Sequence, residues 1–263
     1  MVKKVAKVLN LEGKPSGKVD LPPVFATPLR VDVIKRAVLA MQSNRFQPQG
    51  RDPMAGKRTS AESRGTGGGI ARIPRRKGGD ARAAFAPGTV SGRQGHPPVS
   101  EKNIVKKIPR KEKRLALFSA VAATASKEVV ASRGHRIEDV LEIPLVVTDD
   151  FEGLTKTKEA EEALIRLGLL ADIYRAREGV KVRAGRGKSR GRKMKRTAGP
   201  LIVVAVNRGI VEAARNVPGV DVVTVADLNV EMLAPGARPG RLTVWTSSAI
   251  ERLGEIYGKG VHE

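Results

Sequence analysis

The sequence predicts an α/β protein, a three-layer α/β/α body around a mostly parallel sheet with a long irregular basic loop inserted in its first half. Three observations carry that expectation. The second half alternates short apolar runs with stretches of helical period, as a parallel sheet with helical crossovers requires. Residues 44–114 hold eleven glycines and only two aromatics, Phe46 and Phe85, so this stretch has little to bury and no regular element survives long inside it. The charge, finally, is partitioned. Eighteen Lys or Arg stand against five acids in 44–114, and the run 181–196 (KVRAGRGKSRGRKMKR) has nine basic residues and no acid. Together they account for the whole formal charge of +22 and leave a neutral remainder of about 175 residues, one ordinary domain.

Taken in order, residues 2–11 and 19–21 read as a β-hairpin around GKPSGK, stopped by Pro22 and Pro23. Thr27 followed by Pro28 is a helix-start signal, with Asp32 where the helix dipole favours an acid. Val31, Ile34, Val38 and Met41 then share a face, and the helix delivers the chain to the loop at about residue 44. Beyond the loop, Leu115, Phe118, Ala122, Ala125 and Val129 keep a helical period from about residue 110 until Gly134 stops it. The basic turn that opens this helix, with Lys111, Lys113 and Arg114, runs against the dipole preference, so an external anion explains it better than helix stability does.

Residues 145–148 read as a buried strand, after which Thr155 or Thr157 caps a helix whose face is Ala160, Leu164 and Leu167, ending at Gly168. Residues 169–177 form another short helix. LIVVAV at 201–206 is the clearest buried strand, followed by a helix near 210–216, a strand at 220–225, and a connection with Leu228 and Met232. Residues 242–245 make the last strand. Ser247 or Ser248 caps a closing helix through Ile250, Leu253 and Tyr257.

Several chemistries are poorly matched. There is no cysteine, which excludes disulfides and thiolate metal sites. No apolar run approaches the roughly 18 residues that span a bilayer, and MVKKVAKVLN lacks a signal-peptide apolar core, so a cytoplasmic location is expected. GTGGG at 65–69 has Ile70 where a dinucleotide fingerprint needs its last glycine, and no strand leads into it. The Gly187, Lys188, Ser189 run has Val182 where a phosphate-binding loop needs its first glycine. His96, His135 and His262 are not grouped with acids at ligand or triad spacing. His96 reads as a nucleic-acid contact and His135 as structural. Asp149 and Asp150 read as a loop start or helix cap. No catalytic residue, metal or cofactor is expected.

The basic stretches are built for a polyanion. Fixing some seventy residues costs on the order of 70 kcal/mol of backbone entropy, so the loop is expected to be loose alone and to order on a partner as its cations displace counterions. Small residues between the arginines (Gly65, Gly67, Ala71, Ala81, Ala83, Ala84) keep the ribbon thin enough for a crevice. Arginine outnumbers lysine near the middle, through Arg64, Arg72, Arg75, Arg76, Arg82 and Arg93, which favours bidentate phosphate contacts and stacking on bases. Folded RNA fits better than uniform duplex DNA. An RNA-modifying enzyme of methyltransferase type is the alternative, opposed by the Asn207, Arg208, Gly209 sequence after the 201–206 strand, which is no glycine-rich cofactor turn.

Beyond this reading of the residues, TPLRVDVIKRAVLAMQSN, RGTGGGIARIPRRKGGDAR, SGRQGHPP, EKRLALFSAVAAT, RAGRGKSRGRK, GPLIVVAVN and LTVWTSSAIERL together resemble the large-subunit ribosomal protein L-four family in its archaeal and eukaryotic form. The resemblance covers nearly the full length. It implies a body of residues 1–43 and 115–263, with a basic excursion at 181–199, and an RNA-penetrating loop at 44–114. It further implies a structural, non-enzymatic role in organising large-subunit rRNA during assembly, with neighbouring ribosomal proteins and the nascent peptide as partners and no homo-oligomer. The tip that helps line the peptide exit tunnel is expected at Arg64, Gly65, Thr66, Gly67, Ile70, Arg72 and Arg75. Packing on rRNA is expected of Arg45, Arg51, Lys57 and Arg58, of Arg64, Arg72, Arg75, Arg76 and Lys77, and of Arg82, Arg93 and His96. The same is expected of Lys111, Lys113 and Arg114 beside the loop, and of Arg183, Arg186, Lys188, Arg190, Arg192 and Lys193 in the second run. Where the family usually reads GTGR this chain has Gly68, and Arg72 or Arg64 is expected to cover for the missing arginine.

Overall fold

The computed structural model describes residues 5–78 and 81–257. His262 lies outside them. Two compact units form, one from Met1–Met41 with Lys107–Glu263 and one from Gln42–Lys106.

The larger unit begins with β1 (Val5–Leu9), whose Ala6, Val8 and Leu9 are buried, paired antiparallel with β2 (Pro15–Asp20). The turn between them is set by Asn10, whose Oδ1 accepts from the Glu12 and Lys14 amides at 3.0 and 2.9 Å. Pro22 and Pro23 do more than stop the hairpin. A 3-10 turn, Pro23–Ala26, follows and buries Val24 and Phe25. Proline at its start needs no N–H and fixes the φ such a turn uses.

Helix α1 (Val31–Ser43) therefore starts later than Thr27-Pro28 predicts, because Thr27 is the extended residue that closes the 3-10 turn. Its buried face is Val33, Ile34, Ala37 and Val38, while Val31, expected inside, is 46% exposed. The periodicity is right and the phase is off by part of a turn. The single helix expected up to Gly134 is two, α2 (Arg110–Thr124) and α3 (Lys127–Ser132), broken where Ser126 is extended and Thr124 Oγ1 donates back to the Val121 carbonyl at 2.7 Å. Gly134, at φ +97°, does follow the second of them.

After β5 (Leu145–Val147) come α4 (Thr157–Arg166) and α5 (Leu170–Glu178). Neither Thr155 nor Thr157 caps α4. The cap position is Lys156, which makes no side-chain cap bond. A short hairpin of β6 (Lys181–Val182) and β7 (Met194–Lys195) precedes β8 (Leu201–Val204), α6 (Ile210–Ala214), β9 (Asp221–Thr224), α7 (Val230–Leu233), β10 (Thr243–Thr246) and α8 (Ser247–Tyr257). The connection read around Leu228 and Met232 thus contains a helix, capped by Asn229 Oδ1 accepting from the Met232 amide at 3.0 Å.

Six strands join in the order β2-β1-β5-β10-β8-β9, antiparallel only at β1 with β2 and parallel elsewhere. Side chains alternate across the strands, so the apolar runs divide between two clusters. Val146, Leu201, Val203, Val223 and Trp245 join residues of α1, α2, α7 and α8. Leu145, Val147, Ile202, Val204 and Val244 join residues of α4, α5 and α6. The last strand in the chain lies between β5 and β8, and its Trp245 meets Phe25 edge-on at 5.5 Å. Among the described residues no helix is long and apolar enough to cross a membrane.

Candidate nucleic-acid interface

The unit Gln42–Lys106 has almost no regular structure. Its ladder is two residues deep, β3 (Ala61–Glu62) against β4 (Arg75–Arg76), pairing Ala61 with Arg76 and Glu62 with Arg75. An isolated antiparallel bridge sets Arg75 opposite Ala83, with Arg76 N–H donating to the Arg82 carbonyl at 3.0 Å and Ala84 N–H to that of Pro74 at 2.9 Å. Gly56 is fixed by close approach: at φ +78°, a Cβ on it would sit 2.5 Å from the Arg93 amide nitrogen.

Between β3 and β4 the chain makes the excursion 63–74. Ser63 Oγ donates to the Arg72 carbonyl at 2.8 Å and closes its neck. Arg64, Gly65, Thr66, Gly67, Ile70 and Arg72 are all exposed within it, and Gly65, Gly67 and Gly69 have φ between +66° and +86°. Arg75 differs from these neighbours. It is half-buried in the ladder, and its Nη1 donates to the Ala81 carbonyl at 3.1 Å.

Other cations of this unit hold exposed partners. Arg58 pairs with Asp52, Lys77 with Glu62 at 2.7 Å, and Arg51 donates to Gln94 Oε1 at 2.9 Å. These pairs are exposed and weak, so each guanidinium or ammonium can be exchanged to a phosphate at little cost. The Asp52 and Glu62 carboxyls are held below the usual range by hydrogen bonds from Arg58 and Lys77. Arg45, Lys57, Arg76, Arg82 and His96 are exposed, and Arg93 is half-buried beside Gly56.

In the larger unit, β6 and β7 form the stem of the second basic run, extended by Arg183 N–H to the Lys193 carbonyl at 2.8 Å. Its end is a 3-10 turn, Arg186–Arg190, flanked by Gly185 at φ +76° and Gly191 at φ +78°. Arg183, Arg186, Lys188, Arg190, Arg192 and Lys193 are exposed around a hairpin that carries no acid. Lys111, Lys113 and Arg114 are likewise exposed on the first turns of α2, where Arg114 lies 5.4 Å over the Phe118 ring.

Two buried polar clusters escaped the sequence reading. His135, expected to be structural, is buried with Nδ1 2.9 Å from Asp172 Oδ2, and Arg175 Nε donates to Asp172 Oδ1 at 2.8 Å. Burial pushes the His135 pKa down. Burial works to raise the Asp172 carboxyl, but the hydrogen bonds from His135 and Arg175 overcome it and leave it below its ordinary value. Glu152, 1% exposed, accepts from the Ala205 amide at 2.8 Å, Thr246 Oγ1 at 2.8 Å and Ser248 Oγ at 3.1 Å. An acid three residues before an arginine on α5 was the visible signal for the first cluster; the second joins three distant segments and left none. Among the described residues no group of His, Cys, Asp or Glu could hold a metal ion.

Two acid-poor, glycine-bearing basic segments on an α/β framework call for comparison with known nucleic-acid binders. Residues 19–256 match the model of the ribosomal protein L4/L1 family. The chain belongs to that family. It is 50% identical over 252 residues to the large ribosomal subunit protein uL4 of Methanosphaera stadtmanae, covering 96% of this chain and 97% of that one. The uL4 proteins of Archaeoglobus fulgidus and Halobacterium salinarum are each 51% identical, over 250 and 248 residues and 98% of their own lengths. The methyltransferase alternative finds no support in this kinship.

Proposed function

We propose that this chain is a structural constituent of the large ribosomal subunit in the cytoplasm, binding and organising large-subunit rRNA during assembly without chemistry of its own. The observation that carries the reading is the confinement of all surplus cations to 44–114 and 181–196, all but Arg75 and Arg93 of them exposed, on segments with little apolar surface to bury. The loop is 44–114 and the body is the rest of the chain, a three-layer α/β/α unit supported by the two core clusters on opposite strand faces. The body docks by its neutral surface against RNA and neighbouring ribosomal proteins, as one copy. Arg64, Gly65, Thr66, Gly67, Ile70, Arg72 and Arg75 form the tip that borders the exit tunnel and meets the nascent peptide; Arg64 and Arg72 supply the charge that Gly68 does not.

The test is affinity for large-subunit rRNA as a function of salt, for the intact chain and for one lacking residues 50–105. The intact chain should show the steeper logarithmic slope, by about 0.7–0.9 for each phosphate that the loop neutralises. Equal slopes would overturn the reading. For the tip, Arg72→Glu with Arg64→Glu should slow selected nascent chains in translation, whereas unchanged translation would place the tip elsewhere.

A further inference from the structure

The larger unit holds a cavity of about 500 Å³, within the range of small-molecule sites, at the foot of the β6–β7 hairpin. Val180 and Arg196 enter and leave the stem there, and the turn 215–221 closes the other side. The turn is preformed. Gly199 N–H donates to the Gly219 carbonyl at 2.9 Å, and Gly219, at φ +79°, is packed so closely that a Cβ would lie 2.5 Å from that of Ala176.

The lining has the chemistry of a nucleotide site. Val180 and Pro218 offer apolar surface for a flat ring, and the exposed Asn216 amide offers both a donor and an acceptor to a base edge. Arg196 and Arg215 are exposed, and neither pairs with a carboxylate among the described residues. Asp221, which would repel a phosphate, is already paired with the buried Arg241. The cavity also adjoins the 181–196 run, whose nine cations concentrate RNA beside it.

We infer that this cavity receives one unpaired nucleotide of the bound RNA, its base against Val180 and Pro218, its edge on Asn216 and its phosphate on Arg196 and Arg215. This rests on the RNA-binding role proposed above. The test uses the full chain with large-subunit rRNA, chemical probing of unpaired bases, and affinity measured over a range of salt. The intact chain should shield one unpaired base that Asn216→Trp, which fills the mouth, leaves reactive. The same variant should lose about tenfold in affinity with an unchanged salt slope, and Arg196→Glu with Arg215→Glu should lower the slope by about 2. An Asn216→Trp protein with unaltered shielding and affinity would overturn the cavity assignment while leaving RNA binding in place. Failure of the intact chain to bind rRNA would overturn both. A calorimetric titration with adenosine monophosphate separates the sources, since submillimolar binding of the free nucleotide with no rRNA base shielded would assign the cavity to a soluble ligand instead of RNA.

Discussion

Glu152 lies where β8 and β10 end, and its carboxylate accepts hydrogen bonds from three donors on two different segments. Removing it leaves the Ala205 amide and the Thr246 hydroxyl buried without their acceptor and the half-buried Ser248 hydroxyl without its own, which costs more than the bonds themselves contribute. Glu152→Ala should therefore lower the urea-unfolding free energy by about 3 kcal/mol, and Glu152→Gln by about half that. The His135, Asp172 and Arg175 cluster predicts a pH dependence whose direction follows from both shifts. His135 has a folded pKa below its unfolded value, so the unfolded chain takes up the proton first and stability falls as pH drops below about 6.5. Asp172, also depressed, contributes stability that is present above its unfolded pKa and lost as pH falls through the lower folded one. Unfolding free energy should decline from pH 7 to pH 5, and His135→Gln should flatten that part of the profile.

At the scale of elements, helix ends and strand ends were decided by partners as much as by local residues. Ser247 and Ser248 were the expected caps of α8, yet Thr246 Oγ1 accepts from the Ala249 amide at 3.3 Å, and Asp149 Oδ1 accepts from the Ser248 amide at 2.9 Å. Asp149 does cap a helix, one that lies about a hundred residues further along the chain. Glycines separate in the same way. Gly168 ends α4 at φ +80° with a would-be Cβ 2.3 Å from the Asp139 carbonyl oxygen, while Gly191 has the same backbone geometry, at φ +78°, in open space. Gly168→Ala should cost more than about 2 kcal/mol in a thermal-unfolding comparison, and Gly191→Ala only about 1 kcal/mol, the left-handed strain alone.

Across the whole molecule, charge and core are kept in different parts of the chain. Among the described residues, the two clusters on the sheet contain no member of 181–196, and none of the loop between Gln42 and Lys106. Shortening the second basic run should therefore leave the fold intact and weaken RNA binding. A chain with 181–196 replaced by a short Gly-Ser link should unfold at the urea midpoint of the intact protein, while its salt slope for rRNA falls by up to about 6–8. A large drop in midpoint would mean that the run contributes to the core after all.

How far the fold could be read from residues alone depended on whether a feature was local. LIVVAV, the helical periods and the stop at Gly168 are short-range patterns, and the elements they mark are present, with the period from Leu115 to Val129 divided between two helices. The charge partition needed only counting, and the exposure of Arg64, Arg72 and the 183–193 cations agrees with it. Three-dimensional neighbours decided the rest. That β10 slots between β5 and β8, that Val31 faces outward while Val33 is buried, and that Asp172 and Glu152 are buried beside their donors all depend on segments far apart in the chain. Periodicity and composition record what a residue prefers, whereas pairing across the sheet and the burial of polar groups are settled by which distant surface arrives opposite it.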